Sequence, residues 1–526
     1  MRIENISDFK KAIDSVGYDN FWDIYINAYL SRIRPDFQLP INGFDIDIES
    51  NLFSYDNIGD LYEIALEHNN QISKKELGQY YTPKDVCRFM AKKLLSEYKN
   101  EYNLADVCCG TGNLIIEVLK QLGEHEVRSL IYSKKLYLYD LDPIAIKLAV
   151  MKIGIMFAEK NDYKSYLKIT QSINVSVGNF LSDSVKLPNG CYVISNPPYG
   201  RLPSKIELWS QCSTGNTKDL YSVFIEKISQ QAQRSVIITP QSFLGGAKFS
   251  TLRFAMARNG GGEIYSFDNV PSPLFCGRKK GVFNSNTSNS VRAAITLIDK
   301  NKHGFRLSPM IRFKSEERIK LFSDIESLLG EKIYTQPYVW TKIPKTLEEL
   351  VDAMNALPYK VSDFIEKDKT KQDEKLRLTI PQTPRYFISA TSRDLNRTSK
   401  IVIYAKDEAS FYKLYLLINS SFSYLWWRIY DGGITLGKST LLSLPVPDID
   451  DDEKLNNMVK TYIGLEDSFL VNKLNAGKNN ENVKFPPKYR SKLNQYLLNH
   501  FGLEGKSEQL LSIHSNTFTD YSKYWR

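Results

Sequence analysis

The sequence predicts an α/β fold: a largely parallel sheet with crossover helices, preceded by a helical extension and followed by a mixed α/β region. Two observations point to it. From about residue 76 to about 300, apolar strand-like runs alternate with helical stretches: LYLYD ending at Asp140, CYVISN (191–196), RSVIITP (234–240) and VRAAITLI (291–298). Outside that stretch the pattern changes. Helical apolar spacing fills FWDIYINAYLSRI and IGDLYEIALEHNNQI before it, and turn-rich sequence follows it.

At 526 residues the chain is too long for one ordinary core. The expected division is a helical N-terminal extension over 1–75, an α/β domain over 76–334 and a mixed region with C-terminal helices over 335–526. NKHGFRL reads as a turn-rich exit from the sheet, and EKDKTKQDEKLR (366–377) as a solvated linker. RYFISA and SKIVIYA read as short strands, FYKLYLLINSSFSYLWWRIY as helix, and the tail from about 452 as helical.

Composition is that of a globular chain without low-complexity bias. The cysteines (Cys87, Cys108, Cys109, Cys191, Cys212, Cys276) form no CxxC pair, and the scattered histidines have no companion ligands. That excludes a zinc-finger spacing, predicts no metal site and fits a reducing compartment. No apolar run reaches membrane-spanning length, and MRIENISDFK lacks the apolar core of a signal peptide. A cytoplasmic location is expected. The net charge of +9 is compatible with nucleic acid but does not by itself decide it.

The first chemical signal is LADVCCGTGNLIIEVL (104–119), which reads as strand, small-residue turn and helix. Gly110 and Gly112 at such a turn let the backbone approach a ligand at the end of a parallel strand. About 30 residues on, LYLYDLDPIAIKLAV ends a strand at Asp140, where a carboxylate accepts from ribose hydroxyls. Asp142 before Pro143 fits a helix N-cap. There is no GxxxxGK[ST] and no third glycine, so the expected ligand is an adenosine without a pyrophosphate.

The second signal is NPPY, Asn196 to Tyr199, directly after a strand. Pro197 and Pro198 fix their own φ and hold Asn196 extended. The result is a pair of preorganised acceptors, the Asn196 side-chain oxygen and the Pro197 carbonyl, beside the aromatic face of Tyr199. Two acceptors suit a planar amine with two N–H bonds. They favour a more tetrahedral nitrogen with its lone pair released, which is stabilisation by fixed dipoles. Alignment with an electrophilic methyl supplies the rest.

With these segments in order, the chain resembles S-adenosylmethionine-dependent DNA adenine-N6 methyltransferases that carry the cofactor motif first and target recognition last. The matching segments are GQYYTP (78–83), DVCCGTG (106–112), YDLDP (139–143), GNFL (178–181), NPPY (196–199), DLYSVFIEK (219–227) and ITPQSFL (238–244). GQYYTP is similar to type I modification subunits and to single-chain enzymes that fuse modification with recognition.

The resemblance implies a Rossmann-like methyltransferase domain and a C-terminal DNA-recognition domain. It implies that Tyr81, Thr82 and Pro83 hold the methionine end of the cofactor. Asp106, Cys109, Gly110 and Gly112 would form the floor beneath it, Asp140 would bind the ribose and Phe180 would pack on the adenine. Asn179 stands where the family has an aspartate, a weaker neutral acceptor for the cofactor amine. Asn196, Pro197, Pro198 and Tyr199 carry over as catalytic, with Tyr199 stacking on a flipped-out adenine. Some relatives place a second aromatic on the strand matching VRAAITLI; Ile298 stands there, so none is assigned. Asp219 and Arg253 read as structural.

Double-stranded DNA is the implied partner, and the oligomeric state is not encoded. Basic candidates for its phosphates are Arg278, Lys279 and Lys280 of GRKKG, then Arg385, Arg393, Arg397, Lys400, Arg428 and Lys438. Trp426 and Trp427 read as core. DIDIES shows acids without a catalytic lysine, so no DNA cleavage is expected. A self-sufficient orphan or restriction-modification methylase, bacterial or phage-encoded and nucleoid-associated, is the leading reading, with a cognate endonuclease as a partner. The alternatives are a modification subunit needing a separate specificity protein, or a non-catalytic DNA-binding relative.

Overall fold

The computed structural model describes residues 2–34, 47–48, 55–70, 82–99, 101–160, 162–275, 291–430, 433–449, 453–475 and 478–525. The apolar runs form the strands of one sheet: β1 (Asn103–Asp106), β2 (Leu136–Asp140), β3 (Asn174–Val177), β4 (Cys191–Ser195), β5 (Arg234–Pro240), β6 (Gly261–Phe267), β7 (Ala293–Asp299) and β8 (Gly304–Ile311). Their order is β8-β6-β7-β5-β4-β1-β2-β3. All neighbours are parallel except β7, which runs antiparallel between β5 and β6. Strands β4 and β7 are buried along their whole length, as expected of a sheet covered on both faces.

The order 3-2-1-4-5 is the doubly wound arrangement, Rossmann-like in its first five strands. Right-handed crossovers send the connections after β1 and after β4 to opposite faces, so a crevice opens between the carboxyl ends of these two strands. They are direct neighbours, with Asp106 in register with Ile194.

Before the sheet come helices α1 (Ile6–Val16), α2 (Tyr18–Ile33) and α3 (Ile58–Asn70). Their Phe9, Phe21, Trp22 and Tyr25 form an aromatic cluster that packs on Ile144, Leu148 and Met151. Those residues lie on α7 (Pro143–Phe157), the helix after β2; before it come α4 (Lys84–Leu95), α5 (Asn113–Gln121) and α6 (Glu124–Tyr132). The Asp142 side chain caps α7 by accepting from the Ile144 N–H at 2.7 Å, with Pro143 in the first turn.

Several elements depart from the sequence reading. GFRLSPMI, which overlaps the expected turn-rich exit NKHGFRL, is β8, an edge strand whose only exposed residue is Arg306. Strands β3 and β6 were not expected. SKIVIYA contributes β10 (Lys400–Tyr404), paired antiparallel with β9 (Arg377–Pro381) where the charged linker ends, whereas RYFISA forms no strand. The latter is held irregular because the Arg385 carbonyl accepts from Arg312 Nη2 and Tyr424 Oη, at 2.5 and 2.8 Å. The C-terminal helical tail is interrupted by a hairpin, β11 (Leu470–Asn475) and β12 (Lys478–Val483). Among the described residues no helix is long and apolar enough to cross a membrane.

One apolar cluster runs from the sheet into the C-terminal region, joining Val236, Phe267 and Ile295 to Tyr424, Trp427 and Leu497. At its polar centre lies Asp268, at the end of β6 and almost fully buried. Arg292 Nε donates to its Oδ1 at 2.8 Å, and Arg312 Nε and Arg428 Nη1 donate to its Oδ2 at 2.7 Å each. Burial alone would push this carboxyl up; the guanidinium groups of Arg428, Arg292 and Arg312 outweigh it and hold it well below the usual carboxylate range. Arg428 is thus committed to the interior.

Replacing Asp268 by Asn leaves these guanidinium groups without their counter-charge. The expected loss is about 3–5 kcal/mol of unfolding free energy, read as a lower urea midpoint; an unchanged midpoint would show the junction to be unimportant.

Candidate active site

Three strand ends converge on the crevice. Past β1, the Cys109 N–H donates to the Tyr139 carbonyl at 3.0 Å, and the Gly112 N–H to the Cys109 carbonyl at 2.8 Å. Gly110 and Gly112 have φ of 48° and 83°, the left-handed region that glycine adopts without strain. They serve different ends. A Cβ on Gly112 would meet the Ala149 Cβ at 3.0 Å, so this glycine allows α7 to pack closely, whereas a Cβ on Gly110 would enter open space.

At the end of β2, Asp140 Oδ2 accepts from the Gly110 N–H at 2.8 Å and Oδ1 from the Asp142 N–H at 3.1 Å. Burial raises this carboxyl against those backbone bonds. A carboxylate offers about four lone-pair directions, so capacity for further donors remains. Leu141, which follows it, is 71 % exposed, and Val177, which is in register with Asp140, is 54 % exposed. Both leave apolar surface exposed at the carboxyl ends of β2 and β3. Sequence reasoning passed over Leu141, although an apolar residue directly after such an acid was the available signal.

Asp106 is fully buried. Its Oδ1 accepts from the Cys108 N–H at 3.3 Å, while Oδ2 has no hydrogen-bond partner among the described residues. Burial pushes its carboxyl up to about 8; the Cys108 N–H opposes this and the nearby Asp140 adds to it.

Asn196 follows β4. Its Nδ2 donates to Thr82 Oγ1 at 3.0 Å, across 114 positions of sequence. Thr82 is itself buried, and its carbonyl accepts from Cys87 Sγ at 3.3 Å, with Pro83 at the start of α4. In this arrangement the carboxamide nitrogen faces Thr82 and the oxygen faces the other way. Pro197 is buried, while Pro198 and Tyr199 are partly exposed. Tyr199 Oη donates to the Ile238 carbonyl at 3.2 Å, and its ring meets Phe275 edge-on, centroids 5.9 Å apart. Phe275 escaped sequence reasoning because it sits in the loop before β7 rather than on that strand.

The loops beside this motif are held by two buried charges on α8 (Leu220–Gln231). Lys227 Nζ donates to the carbonyls of Phe180, Ser182 and Val185 at 2.6, 2.7 and 2.8 Å, and burial pushes its ammonium down to about 8. Glu226 accepts from the N–H groups of Ser213 and Thr214 at 3.0 Å and from the Thr214 hydroxyl at 2.7 Å. Adjacent opposite charges inside an apolar helical run were the signal for both.

Asn179 donates through Nδ2 to the Glu207 carbonyl at 2.7 Å and accepts through Oδ1 from the Leu181 N–H at 3.0 Å. Phe180 is buried, stacked on Phe224 and edge-on to Tyr139. Asp219 pairs with Lys248, and Arg253 is buried on the carbonyls of Phe243, Gly246 and Pro337.

Of the basic candidates, Arg385 and Lys438 are exposed. Arg393 pairs with Asp467 and Lys400 with Asp394. Arg397 turns inward, donating to Ser399 O, Glu481 O and Thr383 Oγ1. Tyr81, Arg278, Lys279 and Lys280 lie outside the described residues.

Residues 53–306 match the family model described as N-6 DNA Methylase. The matched stretch spans the helix α3, the sheet through β7 and every residue of the crevice described above. The chain is 27 % identical over 219 residues to the type II methyltransferase M.VspI of Vibrio sp. (strain 343), covering 40 % of this chain and 48 % of that protein. It is 26 % identical over 149 residues to the type I restriction enzyme MpnII methylase subunit of Mycoplasma pneumoniae, covering 28 % of this chain and 26 % of that one. The chain thus spans less than half the length of these relatives. Among solved structures, the type IIG restriction endonuclease BpuSI is similar at 12 % identity and a TM-score of 0.42, with 94 % of this chain and 73 % of that chain covered.

The raised Asp106 makes a pH prediction. Its folded value lies above the ordinary 3.8, so its contribution to stability is full below about pH 4 and is lost as pH rises through about 8. Relative to Asp106→Asn, the urea midpoint of the wild type therefore falls over that window. Parallel profiles for the two proteins would contradict the assignment.

Proposed function

We propose that this protein is a DNA adenine-N6 methyltransferase, moving a methyl group from S-adenosylmethionine to an adenine flipped out of duplex DNA. The observation that carries this reading is the Asn196 carboxamide, fixed by Thr82 at the strand end next to the glycine turn.

The residues present fit the cofactor. Asp140 retains acceptor capacity for ribose hydroxyls, and Leu141 with Val177 offers an apolar face for adenine. The unpartnered Asp106 Oδ2 is a further polar acceptor beneath the turn, and Gly110 leaves room for the ligand's approach. When bound, the cofactor supplies a sulfonium methyl as electrophile.

The chain's own residues act on the base. With Nδ2 committed to Thr82, Asn196 Oδ1 and the Pro197 carbonyl accept the two N–H bonds of the adenine amine, freeing the lone pair for attack. Tyr199 and Phe275 supply the aromatic surfaces on which the flipped base rests. Asn196 Oδ1 remains a hydrogen-bond acceptor throughout, so no titrating base is needed to begin the transfer.

The test is a series of variants assayed for methyl transfer and for binding of sinefungin, an analogue of the cofactor in which a carbon bearing an amine replaces the methylated sulfonium, so that no methyl can be transferred. Asn196→Ala is expected to abolish transfer while sparing sinefungin binding. Asp140→Ala should weaken sinefungin binding first. Thr82→Val should lower kcat by about ten- to a hundredfold, because the carboxamide loses its orientation, and Thr82→Ser should restore it. Near-wild-type turnover by Asn196→Ala would refute the mechanism.

A further inference from the structure

The hairpin β11–β12 lies outside both the crevice and the shared core. Its register pairs Lys473 with Asn480 on one face, and Asn472 with Glu481 and Leu474 with Asn479 on the other. Asn472, Lys473, Leu474 and Asn479 are exposed, Leu474 by 74 %. An isolated two-stranded ribbon is marginal in water, so this one depends on how it is held.

It is held at its base. The Glu481 N–H donates to the Asn396 carbonyl at 3.1 Å, and the Asn396 N–H returns a bond to Glu481 Oε2 at 2.7 Å. Arg397 Nη1 donates to the Glu481 carbonyl at 3.2 Å, and Ser389 Oγ to Asn482 Oδ1 at 3.1 Å. The same segment includes Arg385, whose carbonyl is gripped by Arg312, itself on Asp268. A continuous series of polar contacts therefore ties the ribbon to the carboxyl edge of the sheet.

The charge on the ribbon is unbalanced. Lys473 lies beside Lys484; burial and this neighbouring ammonium both push Lys484 below its ordinary value. Among the described residues, neither forms an ion pair with a carboxylate. Two ammonium groups held together in this way call for an anion.

We propose that the paired strands β11 and β12 enter the major groove of duplex DNA, with Asn472, Leu474 and Asn479 facing base edges and Lys473 and Lys484 on phosphates. The groove is wide enough for a two-stranded ribbon. Asparagine is the bidentate partner of adenine, and an exposed leucine suits the thymine methyl. Phosphate contacts from the lysines set the position. This rests on the reading of the protein as a DNA methyltransferase and adds a sequence-reading element to it.

The experiment measures fluorescence anisotropy of full-length protein on two labelled duplexes: one with the sequence the wild type methylates, one a scramble of it. Asn472→Ala with Asn479→Ala should reduce discrimination between them by about tenfold or more. Lys473→Ala with Lys484→Ala should weaken binding to both and lower the slope of log affinity against log salt by about one unit per ammonium. Unchanged discrimination and slope in variants with wild-type sinefungin binding would overturn the ribbon while leaving the enzyme reading intact. Hydrogen exchange of the wild type gives an independent check: ribbon amides should gain protection on adding the duplex, and no gain would count against the proposal. A wild type that binds no duplex would instead overturn the enzyme reading, and the ribbon proposal with it.

Discussion

The arrangement depends on the parallel pairing of β1 with β4. Because Asp106 lies opposite Ile194, the glycine turn and NPPY leave the sheet side by side, from strands whose onward connections go to opposite faces. Neither segment makes a site alone. The turn offers backbone and carboxylate to a ligand, and NPPY offers two acceptors and an aromatic face. Their adjacency is a consequence of topology, and it brings the two segments to one crevice.

Precision at that crevice is supplied by charges buried around it. Burying an ammonium or a carboxylate costs several kcal/mol unless its hydrogen bonds are replaced. Lys227 recovers this through three carbonyls and Glu226 through backbone and hydroxyl donors, and in doing so each fixes a loop flanking NPPY. Asp268 does the same on a larger scale, joining the end of β6 to Arg428 of the C-terminal region. Phe275 then reaches Tyr199 from a loop whose first residues include Asp268. Removing any of these charges would leave its partners unsatisfied, which is why such networks hold one geometry rather than several.

The fold class, the glycine turn and the place of NPPY directly after a strand were legible in the sequence because they are local. Asp142 before Pro143, the small-residue turn and the rigid NPPY each state their conformation within a few residues. What could not be read there was pairwise and distant. Thr82 belongs to the motif expected to hold the cofactor, yet its hydroxyl meets Asn196. Arg428 and Arg397 look like surface cations in sequence but are spent inside the protein. The paired strands β11 and β12 were missed for a different reason: their asparagines and lysines show no apolar alternation, so their pairing rests on contacts at the base.

The central claim is the identity of the methylated atom. Purified protein alone would be incubated with S-adenosylmethionine labelled in its methyl group and with unmethylated duplex DNA, and the digested nucleosides identified by mass spectrometry. The account predicts label in N6-methyladenine from the DNA. Label in N4-methylcytosine, or methyl transfer to RNA or to protein glutamine with none to duplex DNA, would contradict it.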